Sequence, residues 1–261
     1  MFTTNPFAGL SASISPGVIQ VYIVAMIVLV VAGTLFDVVH KKSARYFIDN
    51  WRNEANKGSK QVGSGEIASM AVQTLLVEVL TSSEFCSVRR RIAHLLTMYG
   101  FVVYLIATIV MAFNYPTNAT PTPEIWTFLW HLGALSVCVG GYWFWFFIRV
   151  DVAAEGKSPF RLIRADLFIL SLLASVTLGL LWSWSQGSVF GWVCFAFYVL
   201  ATTVLFAGVP WSKFAHMFFK PAAALQKRVA EADGSMENLP PPADEPEQYG
   251  LGIKRALPRN Y

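Results

Sequence analysis

Five apolar runs, each of roughly twenty residues, constrain this chain more than any other feature. They occupy residues 18–36, 92–113, 125–148, 167–184 and 189–211. A helix rising ~1.5 Å per residue needs about twenty residues to cross ~30 Å of hydrocarbon. In lipid, every backbone amide must bond within its own helix or within a closed barrel. A barrel would show segments of about ten residues with alternating polarity, and these runs do not alternate. The expected fold is therefore an all-α membrane protein with five transmembrane helices. The 261 residues are 55% hydrophobic and 14% charged, a balance that suits many spans better than one anchor on a soluble domain. The first run is longer than a signal h-region and has no basic segment before it, so it is expected to be retained as a helix.

Charge gives the runs a direction. All twenty Lys and Arg residues fall in three segments, 41–91, 149–164 and 213–259. The stretch before Val18 and the segments 115–125 and 185–188 carry none. Such residues collect on the cytoplasmic side. The expected topology has the N-terminus outside and the C-terminus in the cytoplasm, in a multi-pass protein of the bacterial cytoplasmic (inner) membrane. The net charge of +4 does not point to nucleic acid, because the basic residues are spread over loops among sixteen acids.

The expected division is a membrane domain over residues 1–220, including the cytoplasmic loop 41–91, and a partner-binding tail over 221–261. In the loop, Val72, Leu75, Leu76, Val79 and Leu80 recur at helical spacing and predict a short amphipathic helix. It is expected either to lie at the membrane interface or to dock a soluble partner. A short helix is expected after Pro221, ending near Ala232, before a Pro- and acid-rich stretch too polar to fold alone. The three cysteines, Cys86, Cys138 and Cys194, form no Cys-x-x-Cys pair, which argues against an iron–sulfur or zinc site.

There are four histidines: His40, His94, His131 and His216. Ionisable residues inside spans are costly and often functional. His94 lies about one turn into the second run, after Arg90 and Arg91. His216 is expected near the end of a long fifth helix, between Lys213 and Lys220. The second helix runs outward and the fifth inward, so the two imidazoles are expected at similar depth. Two such histidines are what bis-imidazole haem ligation requires, with nearby Arg and Lys to neutralise propionates. The plainer alternative is a pair of interfacial histidines that bind nothing. His131, in the third run, is expected to hydrogen-bond to backbone or to a quinone head group. His40 ends the first run and reads as interfacial, or as a proton relay to a quinone together with Asp37. The aromatic stretch YWFWFF at 142–147 reads as an interfacial belt, or as a wall against a porphyrin or quinone.

At these residues the sequence resembles a known family. LVEVLTSSEFCSVRRRIAHLLTMYGF (76–101) and WSKFAHMFFKP (211–221) are similar to the histidine-bearing segments of membrane cytochrome b subunits related to the nitrate reductase gamma chain. The likeness extends to the membrane subunits of sulfur-metabolism enzymes, among them the quinone-interacting (Qmo) complex and the membrane anchor of adenylylsulfate reductase. It implies one haem b with His94 and His216 as axial ligands and Arg90, Arg91 and Lys213 at the propionates. It also implies quinone as the exchangeable substrate and a soluble flavin and iron–sulfur partner, adenylylsulfate reductase, on the cytoplasmic face. A second haem of the family would fall near Tyr104 and Tyr198, and tyrosine is not the family ligand. The expected function is a membrane anchor and electron-transfer subunit linking that oxidoreductase to the quinone pool. The alternatives are a non-redox anchor or a small-solute transporter. The lack of Asp, Glu, Lys or Arg inside the runs argues against transport.

Overall fold

The structure is a computed structural model that describes residues 3–40, 45, 48–49, 51–52, 58–82, 85, 87–151, 156–211 and 216–235. The described residues are helical or lie in turns and loops, with no strand among them. Five helices are long and apolar enough to cross a membrane. They are α2 (Pro16–His40), α4 (Val88–Asn114), α5 (Glu124–Trp143, continued by a π-helical turn, Phe144–Ile148), α6 (Leu167–Trp184) and α7 (Val189–Ala207). The chain divides into two compact units, one of Met1–Lys41 with Ile92–Ala215, the other of Lys42–Arg91 with His216–Tyr261. The loop 41–91 thus groups with the C-terminal segment, and the division falls before His216, not after Lys220.

In the first unit, α1 (Pro6–Leu10) is a short plug that the hydropathy pattern does not reveal. Asn5 caps it: its Oδ1 accepts the amides of Phe7 and Ala8, and Pro6 fills the first turn, where a missing N–H is harmless. Asn5 Nδ2 donates to the Tyr115 carbonyl and to Thr122 Oγ1, tying the plug to the connection between α4 and α5. Phe7 then stands edge-on to Trp130 and Trp182. The turn from α6 to α7 closes with Gly187 at φ +80°, and Ser188 Oγ caps α7 by accepting the Gly191 amide.

The α4–α5 contact is made of small residues. A Cβ on Gly133 would lie 2.7 Å from the Gly100 carbonyl oxygen and from the Tyr104 nitrogen, and one on Gly140 would lie 2.6 Å from the Ala93 carbonyl oxygen. Ala93, Gly100 and Tyr104 recur on one face of α4, as do Gly133, Val137 and Gly140 on α5, so the two backbones nearly touch. Close approach of this kind drives helix association where lipid removes the hydrophobic contrast. At the far end of α5, Arg149 is 1% exposed. Its guanidinium pairs with Asp166 at 2.5 Å, donates to the Arg161 carbonyl and lies 4.0 Å over the Trp145 ring. A buried charge is tolerable when it is paired and hydrogen-bonded in this way.

Three boundaries differ from expectation. The first helix runs on to His40, four residues past the apolar run, and carries the buried Asp37 in its last turn; the run 18–36 itself holds no acid. The fifth span ends at Ala207, with Gly208 as its cap and a 3₁₀ turn at Val209–Trp211. The cause is Pro210, which lacks an N–H and disfavours helix in the residue before it. Gly33 of α2 receives this turn: a Cβ there would lie 3.1 Å from Val209 and 3.2 Å from Pro210. The third difference lies in the second unit, where α8 (His216–Ala232) carries Pro221 inside it and does not start after it.

The second unit also holds α3 (Ser64–Gln73), which widens into a π-helical turn at Thr74–Val79. The helix is continuous through the expected stripe, and Val72, Leu75, Leu76 and Leu80 are all exposed. The amides of Ser59 and Lys60 donate to the Asp233 carbonyl, linking the loop to the end of α8.

Candidate functional site

Helices α2, α4, α6 and α7 enclose a chamber of about 410 Å³ within the first unit. Its wall on α2 runs from Val18 past Tyr22 and Met26 to Val31. Phe101, Leu105 and Thr108 of α4 face it, as do Val176 of α6 and Phe195 and Thr202 of α7. Ile27 lines the chamber and is also 47% exposed, and Val18 and Val31 share this double position. The chamber therefore opens through the side of the bundle, on the face that lipid covers in a membrane.

Hydroxyl groups along the wall are bonded to the bundle itself. Tyr22 donates to the Val199 carbonyl at 3.0 Å and pairs with Thr203 at 2.9 Å. Ser175 and Thr202 share a bond of 2.8 Å, and Thr202 donates to the Tyr198 carbonyl. Thr108 donates to the Tyr104 carbonyl and accepts Trp130 Nε1–H. What remains is an apolar wall suited to a hydrocarbon chain.

The two tyrosines where a second haem would fall are in direct contact. Tyr104 Oη donates to Tyr198 Oη at 3.2 Å. Trp182 stacks on Tyr198 and Trp130 packs beside Tyr104. No gap is left between the phenols for a porphyrin, so a second haem does not fit between α4 and α7 at this level.

The histidines separate into different settings. His94 is half-buried on α4, on the same face as Phe101 and Leu105 of the chamber and roughly 10 Å along the axis from Phe101. His216 is not on the fifth span: it opens α8 in the other unit, and its side chain lies outside the described residues, as does Lys213 altogether. Of the two expected axial ligands, only His94 has a described side chain, so the described residues do not bring the pair together. Arg91 Nε donates to the Thr81 carbonyl at 2.7 Å, and Arg90 lies over the Phe85 ring. His40 is exposed and stacks on Phe36. His131 is fully buried, with Nδ1 bonded to the Thr127 carbonyl at 2.8 Å and Nε2 to Ser183 Oγ at 3.0 Å. A carbonyl only accepts, so Nδ1 carries the proton and Nε2 accepts from the serine. The imidazole cross-links α5 to α6, and neither His40 nor His131 lines the chamber.

Sequence reasoning singled out Tyr104 and Tyr198 only as departures from a family pattern. A local signal for their setting exists in Ser175 and Gly179 of α6, small residues one turn apart that let neighbours approach. None of the protein-family models, curated proteins or solved structures compared with this chain matches it.

Proposed function

We propose that this chain is the membrane anchor and electron-transfer subunit of a cytoplasmic oxidoreductase, exchanging electrons with membrane quinone through one haem b. The observation that carries the reading is the chamber: an apolar space open to lipid, on the same helix face as the half-buried His94. His94 and His216 would hold the iron, and Arg90, Arg91 and Lys213 would balance the propionates. When bound, such a haem supplies one-electron transfer. The residues of this chain do the rest. Apolar spans exclude water, the chamber admits a lipid-soluble substrate, and the basic segments keep the polar unit on one side of the membrane.

The concentration of Lys and Arg in 41–91, 149–164 and 213–259 supports an outside N-terminus and a cytoplasmic second unit. The likeness of 76–101 and 211–221 to gamma-chain-type cytochrome b subunits supports the haem. It also supports adenylylsulfate reductase as the soluble partner, in a bacterial inner membrane. Under this reading the substrate chemistry stays in that partner.

A second reading, a non-redox anchor, is favoured by one observation: the break at Gly208–Trp211 takes His216 off the fifth span. A reduced-minus-oxidised spectrum of the purified chain separates the two. A b-type α-band that disappears in His94→Ala is the expected result. A chain that purifies folded and colourless leaves the anchor reading standing.

A further inference from the structure

We propose that Tyr104 and Tyr198 form the polar end of the chamber and bind the carbonyl of an isoprenoid quinone whose tail lies along α2. This rests on the quinone-linked reading above and names the binding residues that it requires.

Each phenol has one O–H to donate. The Tyr104 proton is used on Tyr198 Oη at 3.2 Å. The Tyr198 hydroxyl also meets the Thr202 side chain one turn on, and its proton can turn from there to a ligand in the chamber. Both rings line the chamber, and both are more than nine-tenths buried, at 5% and 6% exposed. A phenol buried to this degree needs an acceptor, because an unmet donor is costly away from water.

The surroundings hold the pair in place. A Cβ on Gly179 would lie 3.1 Å from Tyr104 Oη and 3.3 Å from Tyr198 Cε2, so the bare backbone of α6 makes the room the two phenols occupy. Trp182, 5.6 Å from Tyr198 and stacked on it, and Trp130, 5.1 Å from Tyr104, fix the rings.

Depth selects the ligand. Tyr104 lies ten residues from the Asn114 end of α4, and Tyr198 nine from the Val189 end of α7. At ~1.5 Å per residue the pair is about 14 Å inside the bundle, near the middle of a ~30 Å hydrocarbon core. Glycerolipid ester carbonyls stay at the border of that core. A quinone ring dissolves in lipid and carries its carbonyl to the midplane, and Ile27 and Val31 mark its way in.

The test uses the full-length chain in nanodiscs, titrated with a benzoquinone bearing a ten-carbon tail. Binding is read as quenching of tryptophan fluorescence, to which Trp130 and Trp182 are well placed. Decylbenzene, which keeps the tail without carbonyls, and a diacylglycerol, which has ester carbonyls, are run as competitors. Tyr104→Phe with Tyr198→Phe keeps both rings and removes both hydroxyls together, so no orphaned partner is left. Tyr198→Phe alone is the second variant, and an unchanged thermal transition checks the fold of each.

Saturable quenching that weakens about tenfold in the double variant, the loss of one good hydrogen bond, supports the proposal. Equal quinone affinity in wild type and both variants overturns the phenol assignment and leaves the quinone reading intact. Displacement by diacylglycerol at equal concentration overturns the quinone as the carbonyl source. No saturable quenching in the wild type overturns both this inference and the quinone part of the function. A colourless chain that still binds the quinone through its phenols separates the failure of the haem from the success of this site.

Discussion

The two sides of α4 are built to opposite ends. Toward α5 it presents Ala93, Gly100 and the backbone at Tyr104, and the glycines of α5 come so close that no Cβ could be added. Toward α2 it presents Phe101, Leu105 and Thr108, and a chamber of about 410 Å³ remains. Both sides are apolar, so hydrophobicity does not distinguish them. In lipid, association depends on how closely backbones and side chains fit. The seam is where this bundle gains that fit, and the chamber is where it forgoes it.

The largest expected effect comes from breaking the seam. Gly133→Ala would put a methyl group 2.7 Å from two backbone atoms of α4. Neither can swing away as a side-chain tip could, so the helices must part. Overpacking of this kind costs about 3 kcal/mol. A thermal or SDS-unfolding midpoint well below wild type is the expected measurement. Wild-type stability would mean that α4 and α5 do not meet through their glycines, and the contrast between the two sides would collapse.

A smaller effect is expected at His131, on the tight side. His131→Phe preserves a ring in contact with Trp130 but gives up the bonds to the buried Thr127 carbonyl and to the half-buried Ser183 Oγ. The loss should be about 1–2 kcal/mol. Quinone-analogue binding should stay near wild type, because His131 is a cross-link and does not line the chamber. If binding fell while stability held, the head group would belong on the tight side beside His131, and the roles assigned to the two sides would be exchanged.

The sequence carries the seam and the chamber unequally. The five spans are legible because lipid demands uninterrupted apolar length, and 167–184 matches α6 to the residue. Asn5 followed by Pro6 is a helix-start signal, but a plug of one turn leaves no periodicity to find. Gly208 and Pro210 announce the end of α7; the apolar run continued across them, and hydropathy alone reads through such a break. The seam is half visible, as glycines at helical spacing. The chamber is not, because an absence of packing between α2 and α4 has no residue of its own. Tyr104 and Tyr198 lie ninety-four positions apart, and only the fold brings their hydroxyls together.

The smallest expected effect on stability lies at the mouth of the chamber, and it is the most discriminating. Ile27 lines the chamber while nearly half its surface is exposed. Ile27→Ala exchanges contact with lipid for contact with lipid, so its cost should be within about 0.5 kcal/mol, as for other substitutions away from packed features. The same position tests access. Ile27→Trp adds bulk where a ligand would pass, with no seam to disturb. The decyl benzoquinone should then bind several-fold more weakly or more slowly, while the unfolding midpoint stays put. If alanine at this position destabilises the bundle as much as alanine at Gly133, the α2 side is packed as tightly as the seam and there is no chamber to enter. If tryptophan leaves quinone binding untouched, the chamber fills from another direction, and the exposed face of α2 is ordinary lipid contact.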